Sequence, residues 1–297
     1  MSRYWELSVS VPDDAAEGLT NFVWELGALG VVEEDTPGGA PRVRAFFADT
    51  PERDGLTARV RDYLGGLQAL GFGAADDPHL APLADENWAE AWRQHFRPLA
   101  VGHGLVIAPP WETPPPNGRL AVTIEPGRAF GTGHHATTAG CLTALERIIE
   151  RARPQRALDL GTGSGILAIT AARLGVISVL AVDEDPDAVA SAIANAARNG
   201  VCDRVRCVLG DAGAVQIPAV PLVVANLMKP AHLRLAPAYP RYVVPGGALV
   251  LGGILDPDAA SVADAVERHG FVARTTTSSD GWATLELERV TDSPRTH

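Results

Sequence analysis

The stretch Ala157-Leu158-Asp159-Leu160-Gly161-Thr162-Gly163-Ser164-Gly165 decides the fold. A largely apolar strand turns through three glycines into a helix predicted over Ile166 to Leu174. Glycines let the backbone approach a ligand closely, and the following helix start offers free N–H groups and positive potential. The spacing is G-x-G-x-G, because residue 166 is Ile, whereas dinucleotide-binding turns use G-x-G-x-x-G. Taken alone, the stretch also fits a tight strand-to-helix turn without a ligand.

Outward from this turn, strands and helices alternate from Leu120 onward at the spacing of a doubly wound α/β domain. Strands are predicted at Arg156 to Leu160, Ser178 to Asp183, Val205 to Leu209, Leu222 to Asn226, Ala248 to Leu251, Phe271 to Thr277 and Ala283 to Arg289. The last two flank Asp280-Gly281, a hairpin signal, so the sheet should end in an antiparallel strand. Seven strands closing in a hairpin, with G-x-G-x-G after the first, favour S-adenosylmethionine (AdoMet) as the ligand of Gly161 and Gly163.

Three strand ends then supply polar side chains. Asp183 lies 22 residues after Gly161 and closes the second strand, where a carboxylate can accept hydrogen bonds from both ribose hydroxyls. Asp185 and Asp187 are placed to cap the next helix, which frees Asp183 from that work. Asp211, after the third strand, is a candidate for the adenine amino group, although Gly210-Asp211-Ala212 is also an ordinary turn. Asn226 ends the apolar strand from Leu222, in the crevice where open α/β sheets bind ligands. Its oxygen can accept a hydrogen bond from an amine and aim that amine's lone pair; capping of the next helix is the alternative. Lys229 and His232 beside it read as surface or packing residues. Glycine loop and Thr-capped helix start follow one another in Ile124 to Thr138, so that Thr138 and nearby N–H groups could meet polar atoms of the cofactor. His134, His135 and Cys141 match no metal-ligand spacing, and Gly163-Ser164-Gly165 lacks the serine-hydrolase elbow.

The N-terminal segment has a different rhythm. Trp5, Leu7, Val9 and Val11 alternate as in a half-buried strand, and Leu19, Phe22, Val23 and Leu26 recur at helical spacing. Strands at Gly30 to Glu34 and Arg42 to Ala48, a helix through Leu56, Val60, Leu64 and Leu67, and a strand at His79 to Leu83 complete β-α-β-β-α-β, the ferredoxin-like arrangement. Trp88, Trp92 and Phe96 share a stripe of a short bridging helix. The predicted organisation is residues 1–83, a linker helix at 84–97, and an α/β domain at 98–297.

Composition sets the bounds. The chain has 297 residues and a formal net charge of −11. Residues 1–85 hold 6 basic and 15 acidic side chains, net −9, against 19 and 21 in the remainder. That first segment repels phosphate backbones, so direct nucleic-acid binding is disfavoured and a basic protein partner favoured; a solubilising acidic face is the alternative. No apolar run approaches the roughly 18 residues of a membrane span, and the first residues lack a secretory signal, so a cytoplasmic location is expected. Three cysteines without paired spacing argue against a disulfide framework or a structural zinc site.

In combination these motifs resemble the bacterial family of methyltransferases acting on ribosomal protein L11, the PrmA type. The likeness runs through Glu86-Asn87-Trp88 to Arg97-Pro98-Leu99, the Phe130-Gly131-Thr132-Gly133 loop with His135 and Thr137-Thr138, the glycine turn, Asp183, and Ala225-Asn226-Leu227. The resemblance implies a ferredoxin-like substrate-recognition domain and a class I methyltransferase domain with a Rossmann-like, seven-stranded sheet. It implies AdoMet contacts at Thr138, Gly161, Asp183 and Asn226, and methylation of lysine side chains and the N-terminal amine of the ribosomal protein. Gly252-Gly253-Ile254-Leu255 departs from the family pattern, which has a serine in place of one glycine. The expected chemistry is in-line displacement at the AdoMet methyl by a neutral amine, with Asn226 as the catalytic residue, no dedicated base and no metal. Methylation of ribosomal RNA or a small amine, and a non-catalytic AdoMet-binding assembly factor, are the competing readings.

Overall fold

A computed structural model describes residues 4–28, 30–34, 40–48, 55–69, 71–83, 97–114, 118–126 and 136–291. The predicted linker helix, apart from Arg97, and loop residues 127–135 with His134 and His135 lie outside the described residues. The chain divides into two units, Met1–Arg97 and Pro98–His297.

In the first unit β1 (Tyr4–Ser10), α1 (Asp13–Glu25), β2 (Gly30–Glu34), β3 (Arg42–Ala48), α2 (Leu56–Ala69) and β4 (His79–Leu83) follow in order. The sheet is antiparallel with strand order β2-β3-β1-β4, the ferredoxin-like topology. Alternation sends Leu7, Val9, Val43 and Ala45 into one core with Leu19, Val23, Val60 and Leu64 of the helices. The rings of Phe22 and Tyr63 stack at 4.1 Å between centroids. Arg44 bonds Glu6 and Glu34 at 2.7 Å each, which concentrates acid around one cation.

The second unit begins with a small sheet the sequence reading did not separate. It consists of β5 (Leu99–Val101), β6 (Leu105–Ala108) and β7 (Leu120–Thr123), with β6 central. Two carboxamides fasten its exit: Asn199 Oδ1 accepts from Thr123 N–H at 2.8 Å, and Asn195 Oδ1 accepts from Glu125 N–H at 3.0 Å.

There follow α3 (Ala136–Ala152), β8 (Arg156–Leu160), α4 (Ile166–Arg173), β9 (Ser178–Asp183), α5 (Pro186–Arg198), β10 (Val205–Leu209), β11 (Val220–Asn226), α6 (Lys229–Leu235), α7 (Tyr239–Tyr242), β12 (Val243–Leu255), α8 (Ala259–Glu267), β13 (Phe271–Ser279) and β14 (Trp282–Arg289). The seven strands are ordered β10-β9-β8-β11-β12-β14-β13, and β14 runs antiparallel to both its neighbours. Asp280 and Gly281, at φ 51° and 81°, make the expected turn before β14. This is the class I methyltransferase fold. Strand β12 is longer than predicted: it continues through Pro245-Gly246-Gly247 and, past Leu251, through Gly252-Gly253, because pairing with β11 and β14 supplies order that local propensity withholds. The chain leaves β8 toward β9 on one side and meets β11 on the other, so the strand order reverses at β8, and the crevice beyond its carboxyl end is the ligand position of such sheets. Among the described residues no helix is long and apolar enough to cross a membrane.

Candidate active site at the strand-order reversal

The glycine turn is held from both sides. Gly161 and Thr162 donate their N–H groups to the Val182 carbonyl of β9 at 2.8 and 3.0 Å. Gly161, Gly163 and Gly165 have φ of 72°, 54° and 83°, a region other residues enter only with strain. A methyl group on Gly161 would press into Leu227, and one on Gly165 would lie 3.0 Å from Ala192 Cβ of α5. Gly165 thus serves the packing of α4 on α5, while Gly163 gives its N–H to Asp183 Oδ2 at 2.8 Å.

Asp183 ends β9 half-buried, and its other oxygen accepts the Asp185 N–H at 3.1 Å. Asp185 in turn caps α5 by accepting the Asp187 N–H at 2.8 Å. Each Asp183 oxygen therefore has one backbone donor and retains a lone pair for a further hydroxyl. Asp211 stands on an exposed turn after β10, its Oδ1 accepting the Gly213 N–H at 2.8 Å. Gly210 ties that turn to Asp183 by donating to its carbonyl at 2.8 Å.

Asn226 closes β11. Its Nδ2 lies 3.3 Å from both Thr137 Oγ1 and Thr138 Oγ1, while its buried Oδ1 has no hydrogen-bond partner among the described residues. A buried acceptor left open costs on the order of 1–3 kcal/mol, so this oxygen calls for a donor. The threonines reach it because α3 starts at Ala136, ahead of the predicted threonine cap, and turns Thr137 and Thr138 inward to 2% and 0% exposure. Thr138 and Asn226 are brought together in this way, Gly163 and Asp183 are joined by their hydrogen bond, and Gly161, at the end of β8, lies against Leu227 beside Asn226.

Asp159 escaped the sequence reading, and burial sets the states of His232 and Cys141. Asp159 is fully buried; its Oδ2 accepts from Thr162 Oγ1 at 2.7 Å and from Ala168 N–H at 3.1 Å, which fixes the glycine turn to the start of α4. Burial pushes its carboxyl up to about 7. An acid inside an apolar strand was the available signal. Of the two readings of His232, surface or packing, the structure shows packing: it is fully buried, and burial holds its imidazole down at about 4. Cys141, buried on α3, has its thiol pushed well above the usual range by burial, so it stays protonated. Lys229 is partly buried and pairs with Asp258 at 2.6 Å. No cluster of three potential metal ligands exists among the described residues.

Residues 3–290 match the family model described as ribosomal protein L11 methyltransferase (PrmA). A ribosomal protein L11 methyltransferase of Geobacter sulfurreducens is 38% identical, covering 96% of this chain and 98% of its own length. One from Trichlorobacter lovleyi is 33% identical over 97% of this chain and 99% of its own. The crystal structure of a ribosomal protein L11 methylase from Lactobacillus delbrueckii subsp. bulgaricus superposes with a TM-score of 0.61 at 29% identity, covering 66% of this chain and all of that one.

Proposed function

The chain belongs to the ribosomal protein L11 methyltransferase family and is an AdoMet-dependent methyltransferase, and from this premise we propose that it methylates lysine side chains and the N-terminal amine of ribosomal protein L11. The observation that carries the amine reading is the buried Asn226 Oδ1 without a donor at the end of β11. An amine N–H satisfies it; an acceptor group with no hydrogen to give would leave it open.

The residues present fit the cofactor. Asp183 keeps lone pairs for the two ribose hydroxyls, the Gly161 to Gly165 turn leaves no side chain between backbone and ligand, and the Asp211 turn lies beside Asp183 for the adenine amino group. Thr138 serves through Asn226, whose amide it fixes. When bound, AdoMet supplies a methyl group made electrophilic by a sulfonium. Asn226 Oδ1 accepts an N–H of the acceptor and turns the nitrogen lone pair toward that methyl, so that orientation is settled before reaction. A lysine amine has an ordinary pKa near 10.4, and the described groups touching Asn226 are hydroxyls and backbone, none a base at neutral pH. Removal of the acceptor from water favours its neutral form, and its proton leaves to solvent.

The first unit, net −9 over residues 1–85, attracts a basic protein and repels RNA, which supports its assignment as the substrate-recognition domain. Incubation with labelled AdoMet and separate pools of L11, ribosomal RNA and small amines tests the proposal. Label is expected in L11; label confined to RNA or small amines overturns it.

A further inference from the structure

His232 on α6 is a fully buried histidine to which the proposed reaction assigns no work. Its Nε2 lies 2.8 Å from the Gly252 carbonyl oxygen and its Nδ1 2.9 Å from the Tyr239 hydroxyl. A carbonyl only accepts, so Nε2 carries the proton and donates; Nδ1 then accepts, and the Tyr239 hydroxyl donates to it. Burial keeps the ring neutral at physiological pH against the pull of the Gly252 and Leu227 backbone, so this single tautomer persists. Both nitrogens are engaged, and the ring cannot turn without losing a buried bond.

What the ring holds is the wall behind Asn226. Gly252 is the register partner of Asn226 across β11 and β12, and its carbonyl also accepts the Leu227 N–H at 3.1 Å. A methyl group on Gly252 would press into Cys141 Sγ and come within 2.8 Å of Asn226 Oδ1; one on Gly253, at φ 74°, would lie 2.5 Å from the Leu227 carbonyl oxygen. The register of β12 against β14 shifts between Leu251 and Ile254, so sheet pairing does not fix these two glycines on that side. The His232 bond acts at this irregularity.

We propose that His232, oriented by Tyr239, is a positioning residue for methyl transfer: it holds the Gly252-Gly253 bulge against Asn226 and thereby fixes the direction of the Asn226 carboxamide. This rests on the reading of Asn226 as the amine acceptor. Neither His232 nor Tyr239 needs to touch substrate or cofactor.

A double-mutant cycle tests it with the full chain and L11 at saturating AdoMet, with AdoMet affinity measured by calorimetry on the same samples. His232→Leu should lower kcat about tenfold while AdoMet affinity stays within twofold. His232→Gln, which carries both a donor and an acceptor, should recover most of that loss. In an Asn226→Ala background, His232→Leu should lower kcat less than twofold further, because the group it positions is already gone. Should leucine not fold, His232→Met fills the ring space without a donor and takes its place in the cycle. Equal losses from His232→Leu with and without Asn226 overturn the inference and leave the Asn226 reading standing, as does a wild-type kcat in His232→Leu beside an impaired Asn226→Ala. A wild-type kcat in Asn226→Ala overturns the Asn226 reading and the inference with it.

Discussion

Asp159 and His232 are both fully buried in the second unit, and they make opposite demands on the proton. Burial lifts the Asp159 carboxyl from an ordinary 3.8 to about 7, so between these values the folded chain holds a proton that the unfolded chain has lost, and stability falls as pH rises. Burial lowers the His232 imidazole from 6.5 to about 4, so between these values the unfolded chain holds a proton that the folded chain lacks, and stability falls as pH drops. At about 1.4 kcal/mol per pH interval the first amounts to about 4 kcal/mol and the second to about 3 kcal/mol. Their slopes cancel from about pH 4 to 6.5, and the Asp159 slope stands alone from about 6.5 to 7. Asp159→Asn keeps an acceptor for the Thr162 hydroxyl and the Ala168 N–H but removes the titration; His232→Gln removes the other. Urea denaturation of the two variants and the parent across this range checks the argument, since the remaining carboxylates contribute alike to all three. Relative to the parent, Asp159→Asn should gain stability as pH rises through this window and His232→Gln should gain it as pH falls. Three parallel curves would refute the assigned protonation states.

Asp183→Ala should weaken AdoMet by about 1–3 kcal/mol in a calorimetric titration, the cost of removing a charged acceptor, with the fold retained. Gly165→Ala should destabilise the second unit by about 2–4 kcal/mol in thermal melts, because a left-handed φ of 83° adds strain to a methyl 3.0 Å from Ala192 Cβ. A chain beginning at Pro98 should bind AdoMet in calorimetry, since Gly161, Asp183 and Asn226 all lie beyond that point, and should lose most methylation of L11 in the kinetic assay. Added salt should slow the full-length reaction with L11 by screening the acidic first unit, as charges more than about 8–10 Å apart are screened at physiological ionic strength.

Legibility of the fold followed the range of the interactions involved. The glycine turn and the Asp280-Gly281 hairpin are local, since backbone φ alone demands glycine or aspartate there, and both are legible in the sequence. Strands β1 and β3 announced themselves by alternation because one face packs on helices. The small sheet of β5, β6 and β7 shows no alternation, and only the apolar run Leu105 to Ala108 reads as a strand. Its strands have three or four residues, too few for a period to show, and its exit is fastened by Asn195 and Asn199, 70 and 76 positions away in the chain.

The site divides along the same line. Asp183 and Asn226 could be singled out because strand ends in this sheet order face the crevice whatever the packing around them. The states of the buried groups Cys141, Asp159 and His232 could not be read in this way, since they arise only through burial by elements distant in sequence. His232 did leave a trace: with Leu235 it falls at positions i and i+3 of α6, the spacing of an inward-facing stripe, and both are buried. Gly252 shows why such residues act as a set. The family pattern has a serine in place of one glycine of the Gly252-Gly253 pair, and at Gly252 the Cys141 thiol stands in the space a side chain would need. The Thr137 and Thr138 hydroxyls lie 3.3 Å from the Asn226 amide nitrogen, and the restraint proposed for His232 adds to them through the backbone, because the atom to which the ring donates is the carbonyl of that same glycine.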